Sequence, residues 1–457
     1  MGLTKTTIMG SLAGIAVLLL LPDLVQRSMD FDAALYTGLA KSATQASFWE
    51  LPGFAQDSRF IDHPPLGLWL LSAWLYGFQN AWFAPALWVL LLTATSFFIL
   101  HHLDRQLPAW QIGVLWLLAP VTLAVLPNPY LELPLTACCL VALWCGQRAW
   151  QEPLWAVAAG IATFAAVLIK GPVGLFPLAL PLAQWYLHGN FKRALLLGLL
   201  TGGALVAALA LTLLSSDAAR QFTDAYLQQQ VWASLSGQRD IHHDRADLAI
   251  DIARHIAVLG FITWLVALRL PGHSFTGRVR QTRYWLLLAA CASLPMLASS
   301  RNYPHYLFPA IPLLVLALAN WRPWPAPELH NKAWLAVPAT LGVLALLIGW
   351  QHWGQPGRHQ HHIANAALVA QVHQTALSQQ DTEVTLSHCD GFSELRLRAY
   401  LLRDHSLRSA ILTDPTPSVI VFCDHPNPAL LSSNLLPVEL PPHANHPSGV
   451  YLWRSEN

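Results

Sequence analysis

The chain has 457 residues, of which 54% are hydrophobic and 11% charged, with a mean hydropathy of +0.40. Soluble domains carry about 25% charged residues, so this composition excludes an ordinary soluble enzyme and indicates an integral membrane protein. A formal net charge of +1 leaves no electrostatic footprint for a nucleic-acid partner.

In chain order, residues 7–25 read as a first membrane helix: an apolar run follows Lys5, and no small-residue cleavage site closes it. A long polar loop, 26–81, comes next. Further apolar runs lie at 82–102, 109–126, 133–148, 153–169, 173–188, 195–214, 253–270, 284–299, 304–320 and 334–350. The pattern predicts about eleven transmembrane helices. Between them stand HHLDRQ, GQRAWQ, HGNFKRA, RLPGHSFTGRVRQTR and NWRPWPAPELHNK, each with Lys or Arg. The positive-inside rule puts all of them in the cytoplasm. That assignment requires residues 64–79, PPLGLWLLSAWLYGF plus Gln79, to lie in the interface as a juxtamembrane helix, because a crossing there would invert every later loop. Tryptophans near the ends of apolar runs, among them Trp82, Trp110, Trp321, Trp324 and Trp350, suit headgroup depth.

The other face then receives the loop 26–81, PNPYLE at 127–132, KGPVG at 170–174, the loop 215–252, SRNYPHY at 300–306 and the tail. Residues 351–457 are rich in His, Asp, Ser, Asn and Pro. EVTLSHCD and SVIVFCD read as buried strands and FSELRLRAYLL as an amphipathic helix, which predicts a small α/β domain outside the membrane. Cys389 and Cys423, each followed by Asp, form a candidate disulfide if that domain is periplasmic. Cys138, Cys139, Cys145 and Cys291 lie in apolar runs and read as packing residues.

Ionisable groups gathered between membrane segments point to chemistry. In MDFDAALYTGLAK, Asp32 and Tyr36 fall one helical turn apart on one face, with Leu35 and Leu39 able to face lipid. The plainer reading is that Asp30 or Asp32 caps this helix. A second cluster, Arg59, Asp62 and His63, stands immediately before the interfacial helix. Lys170 ends a membrane helix and is either a ligand group or a snorkelling lysine. Arg239 lies in a polar loop, and Arg301 and Tyr306 lie at a helix entrance where interfacial anchoring is the alternative. His242, His243 and Asp244, and the His359, His361, His362 cluster, read first as solvated loop residues and only second as metal ligands.

These pieces resemble a family. DAALY at 32–36, DHPPL at 62–66, NPYLE at 128–132, IKGPVG at 169–174 and RNYPHYLFP at 301–309 occur in the order seen in polyprenyl-phosphate-sugar-dependent glycosyltransferases of the GT-C fold. The resemblance is closest to the lipid A aminoarabinose transferases, which are related to the protein O-mannosyltransferases. It covers about residues 1–350 and implies a GT-C-like transmembrane domain there, with 351–457 as a separate periplasmic domain. The chain departs from the family pattern at Ala33 (usually Glu), His63 (usually Lys) and Asn128 (often Asp).

The resemblance implies transfer of a sugar from a polyprenyl phosphate to a periplasmic acceptor, an envelope lipid or glycan first and a protein hydroxyl second, at a bacterial inner membrane. Asp32 is the expected general base and Asp62 the second catalytic carboxylate, with three roles open to it: holding a divalent metal ion, orienting His63 or binding the acceptor. Tyr36, Arg59, His63, Lys170, Arg239, Arg301 and Tyr306 are the expected donor-phosphate or substrate groups. The rival classes are a transporter or flippase, which predicts charges at helix midpoints and related halves, and a scaffold whose working part is the tail.

Overall fold

The computed structural model describes residues 29–43, 46–53, 59–126, 128–238, 245–269, 278–298, 303–323, 368–375, 383–387, 399–404, 408–411, 419–422, 435–438 and 451–455. The expected spans at 7–25 and 334–350 lie outside them. The chain divides into two compact units: residues 1–25, 61–67 and 86–352, and residues 26–60, 68–85 and 353–457.

The helices are α1 (Phe31–Ala43), α2 (Leu66–Gly77), α3 (Ala84–Leu103), α4 (Ala109–Leu117), α5 (Pro120–Val125), α6 (Glu132–Ala149), α7 (Trp155–Lys170), α8 (Leu180–His188), α9 (Phe191–Ser215), α10 (Asp217–Tyr226), α11 (Ala233–Ser236), α12 (Arg245–Arg269), α13 (Val279–Ser293) and α14 (Ile311–Trp321). Four helical runs among the described residues are long and apolar enough to cross a membrane: Ala84–Leu103, Trp155–His188, Phe191–Ser215 and Pro304–Trp321.

Prolines and glycines set the breaks in the first unit. The expected single span 109–126 is two short helices, because Ala119 precedes Pro120 and is extended (φ −66°, ψ 127°). A residue before proline is pushed out of the α region. Trp155–His188 is 34 residues long but is two passes rather than one rod. It reverses at Gly171 (φ 69°, ψ −140°), and the 3₁₀ segment Gly171–Ala179 packs back on α7 so closely that a Cβ on Gly174 would meet the Ala166 and Val167 backbone. The end of α8 returns to the start of α7, where the His188 ring stacks on Trp150 at 4.4 Å. Gly189, left-handed at φ 75°, ends α8, and Asn190 caps α9 by accepting from the Arg193 amide at 3.1 Å.

One end of this bundle is tied by polar contacts. Arg278 donates to Asp104 at 3.1 and 3.3 Å, and Asn320 donates to Asp104 at 2.9 Å. Arg280 reaches the Tyr186 carbonyl at 3.0 Å, and Arg193 reaches that of Gln151 at 3.3 Å. The basic loops read from the sequence as one face therefore meet each other.

In the second unit, α1 is buried along most of its circumference. Leu35 (4% exposed) and Leu39 (1%) pack inside protein, which corrects the expectation that they face lipid. Between them on the helix, Gly38 lies against the Arg403 amide and the Leu402 side chain of the helical segment 399–404. Lys41 donates to the Arg403 carbonyl at 2.6 Å, and burial lowers its ammonium pKa from the ordinary lysine value. The Tyr400 hydroxyl bonds both the amide and the carbonyl of Met29.

This unit also holds a five-stranded sheet, β1 (Glu383–Ser387), β2 (Arg408–Ile411), β3 (Val419–Phe422), β4 (Leu435–Val438) and β5 (Tyr451–Ser455), in the order β2-β1-β3-β5-β4. β1 runs parallel to β2 and β3, with Thr385 opposite Ala410 and Ile420, and β5 is antiparallel to β3 and β4. β1 and β3 fall on the EVTLS and VIVF runs; Cys389 and Cys423 lie outside the described residues.

Candidate active site

At the other end of the first unit, three short turns carry one polar cluster. PNPYLE brings Glu132 to the first turn of α6, where its side chain is 1% exposed. KGPVG brings Lys170 to the last turn of α7, where it is ion-paired with Glu132 and 5% exposed. The Lys170 ammonium also stands 4.2 Å from the centre of the Tyr306 ring, a cation–π contact. YPHY brings His305 between Tyr130 (ring centroids 4.9 Å apart) and Tyr303 (5.5 Å), with Nε2 3.5 Å from the same Glu132 oxygen. A membrane bundle tolerates such charges only where they pair. Lys170 is thus a buried, partnered base, not a snorkelling one.

Asp62 and His63 join this end from the chain before α2. Pro64 and Pro65 are buried, and Gly67 lies against Leu131 and Ile169, with no room for a Cβ. That contact seats the start of α2 beside the ends of α6 and α7. Asp62 Oδ1 accepts from Gln230 Nε2 at 2.7 Å. Tyr226 is 9% exposed, and its hydroxyl occupies the space where a side chain on Gly171 would go.

A cavity of about 500 Å³ opens between these groups. It is lined by the polar side chains of Asp62, His63, Lys170, Tyr226, Gln230 and Tyr306 and by apolar ones such as Val173, Leu175, Phe176, Leu235 and Met296. One wall is α13 and the 3₁₀ segment Leu294–Ala298 that continues it, through Cys291, Ala292 and Pro295. The cavity suits a ligand with an anionic or hydroxyl-rich head and a long apolar tail.

Four expected site residues are brought together here: Asp62, His63, Lys170 and Tyr306. Asp32, Tyr36 and Arg59 belong to the second unit. There Asp32 lies in the first turn of α1, half-buried, after Asp30, whose carbonyl accepts from the Ala34 amide at 2.9 Å. Tyr36 is only 3% exposed. Arg59 is exposed and pairs with Glu50 at 3.1 Å. Arg239, Arg301 and the His242, His243, Asp244 and His359, His361, His362 clusters lie outside the described residues.

Glu132, His305, Tyr226 and Gln230 were not singled out from the sequence. The signal for Glu132 was available, because a lysine ending an apolar helix needs a counter-charge and PNPYLE supplies an acid. Among the described residues no group of three or more His, Cys, Asp or Glu could hold a metal. Asp62 receives the Gln230 side-chain amide N–H on Oδ1.

No family model and no curated protein matches the chain. Among solved structures it is similar to ArnT from Cupriavidus metallidurans bound to undecaprenyl phosphate, with a TM-score of 0.63 at 14% identity over 98% of each chain. The apo form of that protein gives a TM-score of 0.61 at 15% identity over 97% of each chain. A weaker likeness, TM-score 0.43 at 14% identity, covers 77% of this chain and 38% of the arabinosyltransferase EmbB from Mycobacterium smegmatis. The fold is that of the GT-C glycosyltransferases.

Proposed function

We propose that this chain is a multi-pass glycosyltransferase of the bacterial inner membrane that uses a polyprenyl-phosphate-linked sugar as donor. The acceptor is a hydroxyl or phosphate on an envelope lipid or glycan, and the site and C-terminal region face the periplasm. The observation that carries this reading is the mixed lining of the cavity, in which charged and hydrogen-bonding side chains suit a sugar phosphate and apolar ones suit an isoprenoid. The GT-C fold supports it, and undecaprenyl phosphate is the ligand of the similar ArnT structure.

In this reaction the acceptor oxygen attacks the sugar C1, the C1–O bond to the lipid phosphate breaks through an oxocarbenium-like state, and the configuration inverts. The lipid phosphate leaves with the bonding electron pair. Lys170, His63 and Tyr306 face that growing negative charge. Glu132 and the Tyr306 ring hold Lys170 in place, so its ammonium need not reorganise as charge develops. Arg59, Arg239 and Arg301 remain proposed phosphate partners. Asp32 takes the acceptor proton, late in the step, because a carboxylate is far less basic than an alkoxide. Tyr36, one turn along α1 from Asp32, remains a proposed substrate partner.

The test is a lipid profile of a deletion strain restored with wild type or with Asp32→Asn. The expected result is accumulation of a polyprenyl-phosphate sugar and loss of that sugar from one envelope glycoconjugate, both reversed by wild type alone. An unchanged lipid-linked sugar pool would overturn the transferase reading. Full restoration by Asp32→Asn would remove Asp32 as base.

A further inference from the structure

Gln230 lies in a π turn, Leu227–Trp232, inserted between α10 and α11. Such turns are rare, widen the helix and recur at functional sites. The local sequence LQQQVW does not demand one, since it contains no Pro or Gly. Tertiary contacts meet it before and within the turn. Just before it, the Tyr226 hydroxyl takes the space of the side chain that Gly171 lacks. Within it, Gln230 donates to Asp62.

The turn has a geometric consequence. In an unbroken α-helix, residues four apart drift by about 40° at each step. The wider π turn counters that drift, and Tyr226, Gln230 and Ser234 all line the cavity. Gln230 thereby reaches Asp62 Oδ1 at 2.7 Å. Among the described residues Oδ2 carries no hydrogen bond, which leaves it for a hydroxyl of sugar or acceptor.

We propose that Gln230 is a positioning residue, carried to Asp62 by the π turn so that its amide fixes the orientation of that carboxylate in the cavity wall. The catalytic consequence rests on the transferase reading; the donor–acceptor pair itself does not.

Purified protein in detergent, given the donor and acceptor identified by lipid profiling, tests it through Gln230→Glu, Gln230→Lys and Gln230→Ala. Glu matches Gln in volume but offers Asp62 a second acceptor, and it is expected to lower kcat/KM by about 10- to 100-fold. Lys keeps a donor within reach and should stay within a few-fold of wild type, with Ala between the two. The opposite order, Glu near wild type and Lys worst, would mean that Gln230 merely packs.

Thermal unfolding of Asp62→Asn, Gln230→Glu and the double variant needs no substrate. Gln230→Glu should lower Tm by several degrees, and adding Asp62→Asn should restore most of that loss. Strict additivity would overturn the proposal. Absence of transfer by wild type would count against the transferase reading, while the thermal cycle would still decide the pairing.

Discussion

Lys170 is a single charged side chain that holds the fold and, in the function proposed above, also meets the donor. Its ammonium is buried with Glu132 as ion-pair partner and Tyr306 beneath it. Removing one member of a buried pair leaves an uncompensated charge, at a cost of about 3–5 kcal/mol. Glu132→Ala is therefore expected to lower Tm sharply and reduce expression of folded protein. Replacing both charges, as in Lys170→Met with Glu132→Leu, should recover much of the stability, because a well-packed apolar pair is often neutral relative to an ion pair. The double variant should still lose donor binding, measured with a fluorescent polyprenyl phosphate. Retained binding would show that Lys170 serves only to hold the helices together.

At the scale of elements, the site depends on the close approach of α7 to its neighbours. α7 packs on α9 through Gly160, where a Cβ would strike the Thr201 carbonyl and Ala204. Membrane helices lack a hydrophobic drive to associate, so such small-residue contacts carry the packing. The same helix delivers Lys170 at its far end. Gly160→Leu should cost about 1–3 kcal/mol by overpacking, seen as a lower Tm in detergent. It should also lower transfer without touching any cavity group. Normal stability in that variant would mean that the two helices separate freely. α2 is the contrasting case. Its 12 residues extend about 18 Å, short of the bilayer core of about 30 Å. Tyr76, Trp82 and Phe83 are exposed at or just beyond its end.

For the whole molecule, the sorting of loops to the two ends of the first unit carries the topology. Basic loops join through Asp104, Arg278, Asn320, Arg280 and Arg193 at one end, while Glu132, Lys170, Gln230 and Tyr306 gather at the other. Two exposed positions report on these ends, Lys192 and Gln238. In a background without native cysteines, Gln238→Cys should react with an impermeant maleimide from the periplasm, and Lys192→Cys only after the inner membrane is opened. Labelling of both from one side would overturn the orientation proposed here.

The sequence by itself determined that the chain is a membrane protein, where its apolar runs lie and which turns carry the chemistry-bearing motifs. Those features are local: hydropathy, prolines and glycines at turns, and the sign of loop charge can be read without knowing any contact. It also marked Asp62, His63, Lys170 and Tyr306. Only the tertiary structure decided what each meets. Lys170 became a paired base because Glu132 stands 38 positions away in the chain. Leu35 and Leu39 turned out to be buried, and Gly38 between them lies against the segment 399–404. Gln230 became a partner of Asp62 across 168 positions through a π turn that its own sequence does not specify. Helical periodicity reports which residues share a face, and side-chain packing between distant segments decides what that face touches.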